Sequence, residues 1–509
     1  MNFLENFISA RNVGTPLIKV NTPDAASTIA NVRKALGKSQ DKTPLATWDA
    51  INGLKGINDA GTAAVQHMLT DKSISADATT QLPIALSVMD NGSQADFVCF
   101  VHNIHLFWAD PLVVQGVWNL RDCYKANGML LVMLTALGTV CPLELNSDVL
   151  SLEEALPTRD EIKSIVKDLY ASVYEDQTIK PSDSELDKAG DALVGIAAFP
   201  CDQAVAMNLN KKEKKLNIKG LWERKRDIIK ATPGLSFFDG ELTLADMGGN
   251  KNIAAYGSAI MQGKRGANII LRVDEIEKAF AGAGTDTSGV KGDLLGNFLS
   301  WVEDKKVFCI LLLGVPGASK SHFIYCLGGS FGKPVINFDI AGMQDSLVGN
   351  SGKNLRTAEA TVEAISDGQI ILIATANSLR GLPAELLSRF EKGGIFFFDT
   401  PDESERADIM ALKIKKFNLD ASQLIPDTTG WTGREIESLC DKADRLGMSL
   451  MDAAQYVVPL TKSQAGTIDE LRQSANERYL SASKPGLYKY TVPSTVHTPT
   501  VTVSGRKMR

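Results

Sequence analysis

The apolar run Val307–Leu313 delivers Gly314-Val315-Pro316-Gly317-Ala318-Ser319-Lys320-Ser321 into a helical pattern. A strand, a glycine-rich loop and a helix in that order constrain the chain more than any other feature. The loop's backbone N–H groups converge at a helix N-terminus, where fixed dipoles and a lysine favour a phosphate. Lys320 suits the β/γ oxygens of a nucleotide, and Ser321 suits a Mg2+ ion. Ser319 occupies the place of the pattern's last glycine. A side chain there is expected to sit in an unusual backbone conformation costing about 1 kcal/mol, lowering affinity without abolishing it.

Such a loop needs an acidic partner to hold the metal and polarise a water. Downstream, the strand Ile370–Asn377 ends in an amide and carries no carboxylate. Upstream, Ile269-Ile270-Leu271-Arg272-Val273 leads into Asp274-Glu275. An acidic pair at a strand end has the needed geometry, with Asp274 toward the metal and Glu275 toward water. Taken alone, such a pair is usually a solvated surface feature; the glycine-rich loop selects it. The chain therefore carries the two halves of one expected site in inverted order.

At 509 residues the chain exceeds one ordinary core, so two to four domains are expected. With 44% hydrophobic and 22% charged residues it has a globular composition. A net charge of -6 gives no overall basic footprint for nucleic acid. The local basic segment Lys211–Lys230 reads as a solvated connector helix or as a nucleic-acid contact. Seven cysteines, with no CxxC pair, read as reduced thiols of a cytoplasmic protein. No basic region followed by an apolar stretch opens the chain, so no cleaved signal is expected, and no apolar run is long enough to imply a membrane partner.

Short β-rich runs alternate with helical segments over residues 1–157, with strands expected at Leu17–Val20, Asp96–Val101, Met129–Thr135 and Asp148–Leu152. The first of these runs into Val20-Asn21-Thr22-Pro23-Asp24, with no glycine and no Lys-Ser/Thr pair. This is a nucleotide-binding type of fold without a phosphate loop. Residues 158–239 read as a helical lid and basic connector, 240–401 as a second α/β module, 402–483 as a helical lid and 484–509 as a tail that is flexible or packs as an extended arm. The second module's strands are expected at Asn268–Val273, Val307–Leu313, Val335–Ile340, Ile370–Thr375 and Ile395–Asp399.

Asp274-Glu275-Ile276-Glu277-Lys278-Ala279-Phe280, Phe298–Lys306, Ala374-Thr375-Ala376-Asn377, Leu382–Leu387 and Arg389-Phe390 together resemble the AAA+ ATPases. Within that class the chain is most similar to a two-module family named for a hypothetical chloroplast reading frame (Ycf-type). The resemblance is weak before about Asp246 and strong from there to about Ser481. It implies a degenerate AAA+-like first module, and a second module with a parallel five-stranded sheet in the order 5-1-4-3-2. It implies ATP and Mg2+ as ligands. It puts the segment with Gly248 against the adenine, Asn377 as an orienter of water, Arg389 as a finger reaching into a neighbour's site, and Arg434 near the γ-phosphate. It also implies a homo-oligomer, by analogy a hexamer, that remodels a protein or nucleoprotein partner. A nucleic-acid motor or loader, and an ATP-gated assembly with very slow hydrolysis, remain as alternatives. Leu347 stands where the family often has an aromatic that grips a threaded polypeptide, with Met343 as a second apolar candidate.

Against the family pattern, the acidic strand and its helix, Asn268–Lys306, lie ahead of the loop-bearing strand. Each rerouted connection is displaced by one strand spacing of roughly 5 Å, which two residues span. A permuted order is therefore compatible with an unchanged sheet.

Overall fold

The structure is a computed structural model and describes residues 3–36, 42–90, 96–136, 139–154, 156–174, 179–210, 212–283, 289–345 and 351–490. It divides into two compact units, Met1–Asp227 and Ile228–Arg509. The second unit thus begins ahead of the expected boundary at residue 240, because a strand at Leu235–Phe237 pairs into its sheet. No helix among the described residues is long and apolar enough to cross a membrane.

The first unit holds β1 (Leu17–Asn21), β2 (Leu45–Asp49), β3 (Gly53–Gly56), β4 (Val98–Val101), β5 (Leu130–Thr135) and β6 (Leu150–Glu153). They lie in the order β3-β2-β4-β5-β1-β6, all parallel except the β2–β3 hairpin. Alternation divides their side chains between two cores. Leu17, Trp48, Cys99, Val101, Leu131 and Met133 face one side, and Ile18, Val20, Phe100, Val132 and Leu134 the other. Three helices follow at Arg159–Val173, Asp183–Leu193 and Ala198–Asn208, the first two opened by reciprocal capping boxes, Thr158 with Glu161 and Ser182 with Glu185. A two-stranded ribbon, β7 (Leu209–Asn210) and β8 (Lys215–Leu216), leads to the basic helix Ile218–Ala231. Within that helix Lys225 is buried, donating to Asp191 O at 3.0 Å and lying over the Trp222 ring. That lysine is structural, which removes it from the expected nucleic-acid contact.

The second unit holds β9 (Leu235–Phe237), β10 (Ile269–Val273), β11 (Phe308–Gly314), β12 (Val335–Phe338), β13 (Ile370–Ala376), β14 (Ile395–Phe398) and β15 (Leu480–Ser481). They lie in the order β15-β14-β11-β13-β10-β12-β9. The sheet has seven strands where five were expected: the run β14 to β12 is parallel, β15 extends it in parallel at one edge, and β9 pairs antiparallel at the other. Parallel strands buried on both faces read as continuous apolar runs, as β11 and β13 do. The helix Val290–Asp304 feeds β11, and Ser351–Ser366 feeds β13.

Helices Glu403–Lys416 and Gly433–Leu446 form a separate cluster around Ile409, Ile414, Ile436 and Leu439. The chain then returns to the sheet at β15. Residues 484–490, at the start of the segment expected to be flexible or to pack as an extended arm, pack: Tyr488 is buried and donates to Asp399 Oδ2 at 2.6 Å, and Arg472 pairs with the same carboxylate at 2.8 Å. The rest of that expected tail lies outside the described residues.

Candidate functional site

The site is built where β10, β11 and β13 end side by side. β11 closes at Gly314, φ 153°, where Phe398 O lies 2.0 Å from the place a Cβ would take. No side chain fits there. Gly317, φ 84°, approaches Thr432 and Arg434 in the same way, at 3.0 and 3.1 Å. Ser319 adopts φ 67°, the left-handed conformation expected from its place in the loop. Val315, Pro316 and Ala318 complete the turn into the helix Lys320–Ser330, and Val315 and Ala318 are buried.

Lys320 is 7% exposed and donates to Gly314 O at 2.7 Å, Val315 O at 3.1 Å and Asn377 Oδ1 at 3.0 Å. Burial pulls its pKa down to about 8, against the opposing fields of Glu277 and Asp274. Ser321 Oγ donates to Asp274 Oδ1 at 3.2 Å, although Asp274 precedes the loop in the chain. Thr375 Oγ1 donates to the same oxygen at 2.6 Å and accepts from the Glu275 N–H at 3.0 Å. Glu275 itself stands at φ 47°, where the chain turns sharply from β10 into the short helix Ile276–Phe280.

Asn377 ties the halves together. Its Nδ2 donates to Glu275 Oε1 at 3.0 Å, its Oδ1 accepts from Lys320, and its backbone N–H donates to Glu277 Oε1 at 2.9 Å. Lys278 pairs with the other oxygen of Glu275. A cavity of about 300 Å³ opens here. Asp274, Glu275, Pro316, Gly317, Ser319, Lys320, Ser321 and Asn377 line one side of it, and Gly248, Ile409, Lys413 and Arg434 the other. The Arg434 N–H donates to Gly317 O at 3.4 Å, so the helical cluster closes over the glycine-rich loop.

Arg389 is not brought to this cavity. It lies on Ala384–Phe390 and pairs with Glu303 at 2.5 Å. Leu347 lies outside the described residues. Met343 is buried in the core beside Gly234, which removes it as an exposed contact for a threaded chain.

Sequence reasoning missed Arg272, Thr375 and Glu277. Arg272 was the one charged residue in an apolar strand and stands two residues before Asp274, hence on the same face. Thr375 bears the same relation to Asn377, and Glu277 lies one helical turn beyond Asp274.

The residues present fit a nucleotide triphosphate with a divalent cation. The loop leaves no room for side chains at Gly314, a buried ammonium stands beside it, and a hydroxyl and a carboxylate from separate segments meet at 3.2 Å. Residues 2–154 match the family model of the SpoVK-like AAA ATPase N-terminal domain. The chain is also 21% identical to a protein of Guillardia theta described as an uncharacterized AAA domain-containing protein ycf46, across 94% of this chain and 95% of that one. A protein of the same description from Gracilaria tenuistipitata var. liui is 22% identical, over 74% of this chain and 81% of its own length.

Proposed function

We propose that the chain is an AAA-family ATPase that hydrolyses ATP with Mg2+ at the Lys320 cavity, in a permuted module, as one subunit of a ring that remodels a protein or nucleoprotein partner, a reading supported by the AAA descriptions of the family model and relatives it resembles. In this reading the second unit's sheet, from β9 to β14 with β15 added, is the catalytic subdomain and the helices Glu403–Lys416 and Gly433–Leu446 are its lid, while the first module recognises or scaffolds. The observation that carries it is the hydrogen bond between Ser321 and Asp274, reinforced by the chain Lys320–Asn377–Glu275.

Lys320 turns from the loop carbonyls onto the β/γ oxygens, and the loop N–H groups hold the phosphates. Ser321 and Asp274 would hold Mg2+, which would supply charge neutralisation to the phosphates. Asn377 holds Glu275 and the attacking water in line. Glu275 accepts the water proton as the new oxygen–phosphorus bond forms and the bond to the β-phosphate oxygen breaks. Arg434 steadies the γ-phosphate from the lid. Arg389, which does not line this cavity, serves the site of a neighbouring subunit, most simply in a hexamer.

The test is ATP turnover across protein concentration for the native chain, Glu275→Gln and Arg389→Ala. Glu275→Gln is expected to lower turnover on the order of a hundredfold or more, and Arg389→Ala to remove its rise with concentration. Turnover that survives both substitutions refutes the assignment. The strained Ser319 favours a second reading, an ATP-gated assembly with very slow hydrolysis. There Glu275→Gln leaves turnover unchanged and Lys320→Ala abolishes assembly. Stimulation of turnover by DNA or RNA, lost at high salt, would favour a nucleic-acid motor.

A further inference from the structure

Arg272 occupies the place where a cation belongs. Its Nη2 pairs with Asp274 Oδ2 and donates to Ser321 Oγ at 3.1 Å, so one guanidinium nitrogen touches both side chains assigned to the metal. The side chain is 11% exposed, a position in which a full positive charge requires partners. It has them on the other side too: Nη1 donates to Asn337 Oδ1 at 2.9 Å and to the Tyr325 hydroxyl, and the guanidinium lies 5.0 Å over the Tyr325 ring. Tyr325 is in turn stacked on Phe238, with centroids 3.7 Å apart. The Nε of Arg272 is buried and has no hydrogen-bond partner among the described residues. The arginine is therefore held from behind by β12 and the loop helix, and it presents its charge forward to Ser321 and Asp274.

We propose that Arg272 competes with the divalent cation for Ser321 and Asp274, so that the metal enters the nucleotide site only by displacing this guanidinium. The inference rests on the nucleotide reading given above. Two cations at contact distance on one carboxylate repel each other, and the arginine's side of this pair is largely withdrawn from water even though Asp274 is half-exposed. The tether to Asn337 and Tyr325 gives the displaced arginine a position to retain. Its effect is regulatory: at low cation concentration the site keeps its charge balance with the metal ligands blocked, and turnover is gated by metal entry.

The experiment is a Mn2+ titration followed by electron paramagnetic resonance on the full chain with a saturating non-hydrolysable ATP analogue. A fluorescent form of the analogue reports nucleotide binding separately. Arg272→Met is expected to bind Mn2+ at least tenfold more tightly than the native chain. Lys278→Met removes a neighbouring positive charge that touches neither Ser321 nor Asp274, and is expected to change the affinity less than threefold. Arg272→Gln keeps donors for Asn337 and carries the same expectation as Arg272→Met, should the methionine variant fail to fold. Equal Mn2+ affinity in the native and Arg272 variants, or equal gains from Lys278→Met, overturns the proposal. An analogue that binds neither the native chain nor the variants overturns the nucleotide reading, and this inference with it.

Discussion

The two units carry sheets of the same spatial plan reached by different routes. Counted from β6, the first unit's five parallel strands are visited in the order second, fifth, fourth, third, first. Counted from β14 and leaving aside the two-residue edge strand β15, the five parallel strands of the second unit are visited fourth, second, fifth, third, first. Moving one strand, the fourth, to the front converts one order into the other. Strand adjacency, and hence which residues meet at the carboxyl end, is unchanged by that move, so an active site depends on neighbours in the sheet and not on succession in the chain.

The units also differ in what fills the phosphate position. Beyond β11 a glycine-rich turn leaves its cradle open. Beyond β1 the equivalent turn is filled by the protein's own carboxylates. Asp24 Oδ1 accepts from the Ala26 and Ser27 N–H groups at 3.1 Å each, and Glu154 accepts from Thr22 at 2.8 Å, from Thr28, and from Asn31 at 3.4 Å. The helix N-terminus that would bind an anion already has one.

The sharpest way to break this contrast is Lys320→Ala. Because the first unit's cradle is filled, that single change is expected to abolish nucleotide binding by the whole chain in equilibrium dialysis. Retained binding at one nucleotide per chain would place a working site in the first unit. A smaller effect is expected of Ser319→Gly, which relieves the left-handed serine. Relief of about 1 kcal/mol corresponds to roughly fivefold tighter nucleotide binding by calorimetry, and unchanged affinity would mean the strain is not released there. Glu154→Ala leaves the Thr22 hydroxyl without its carboxylate acceptor, while the Thr28 hydroxyl keeps Asp24 O at 3.0 Å. It is expected to destabilise the first unit by about 1 kcal/mol in chemical denaturation without changing turnover.

Acidity gives the subtlest test. Lys320 has a folded pKa near 8, below its ordinary value, because burial disfavours its charge. Between those two values the unfolded chain holds the proton and the folded one does not, so this group makes stability rise with pH across that window and leaves it flat below. Phosphates need the charged form. Nucleotide affinity is therefore expected to fall as pH rises above about 8, and binding near that pH should take up a proton, measurable as a buffer-dependent heat.

Much of this plan was legible in the sequence because buried parallel strands are continuous apolar runs. β10, β11 and β13 stand out for that reason, and the loop's demand for an acid led back to Asp274 despite the order. The edges were not legible. β9 and β15 are too short for any periodicity to register, and the β2–β3 hairpin mixes polar and apolar residues. Residues 484–490 carry no pattern of their own and are held by Asp399 and Arg472, far away in the chain. Arg272 was visible as a charge in an apolar strand, but its partners Ser321, Tyr325 and Asn337 come from two other elements that only the sheet brings near.

The claim that two inverted segments make one site is tested most directly by a double-mutant cycle on ATP turnover with Asp274→Asn and Ser321→Ala. Residues that share one function are strongly non-additive, so a coupling of about 1 kcal/mol or more is expected, with the double variant little worse than the poorer single one. Strictly additive losses would contradict a common site and leave the acidic strand and the glycine-rich loop as unrelated features.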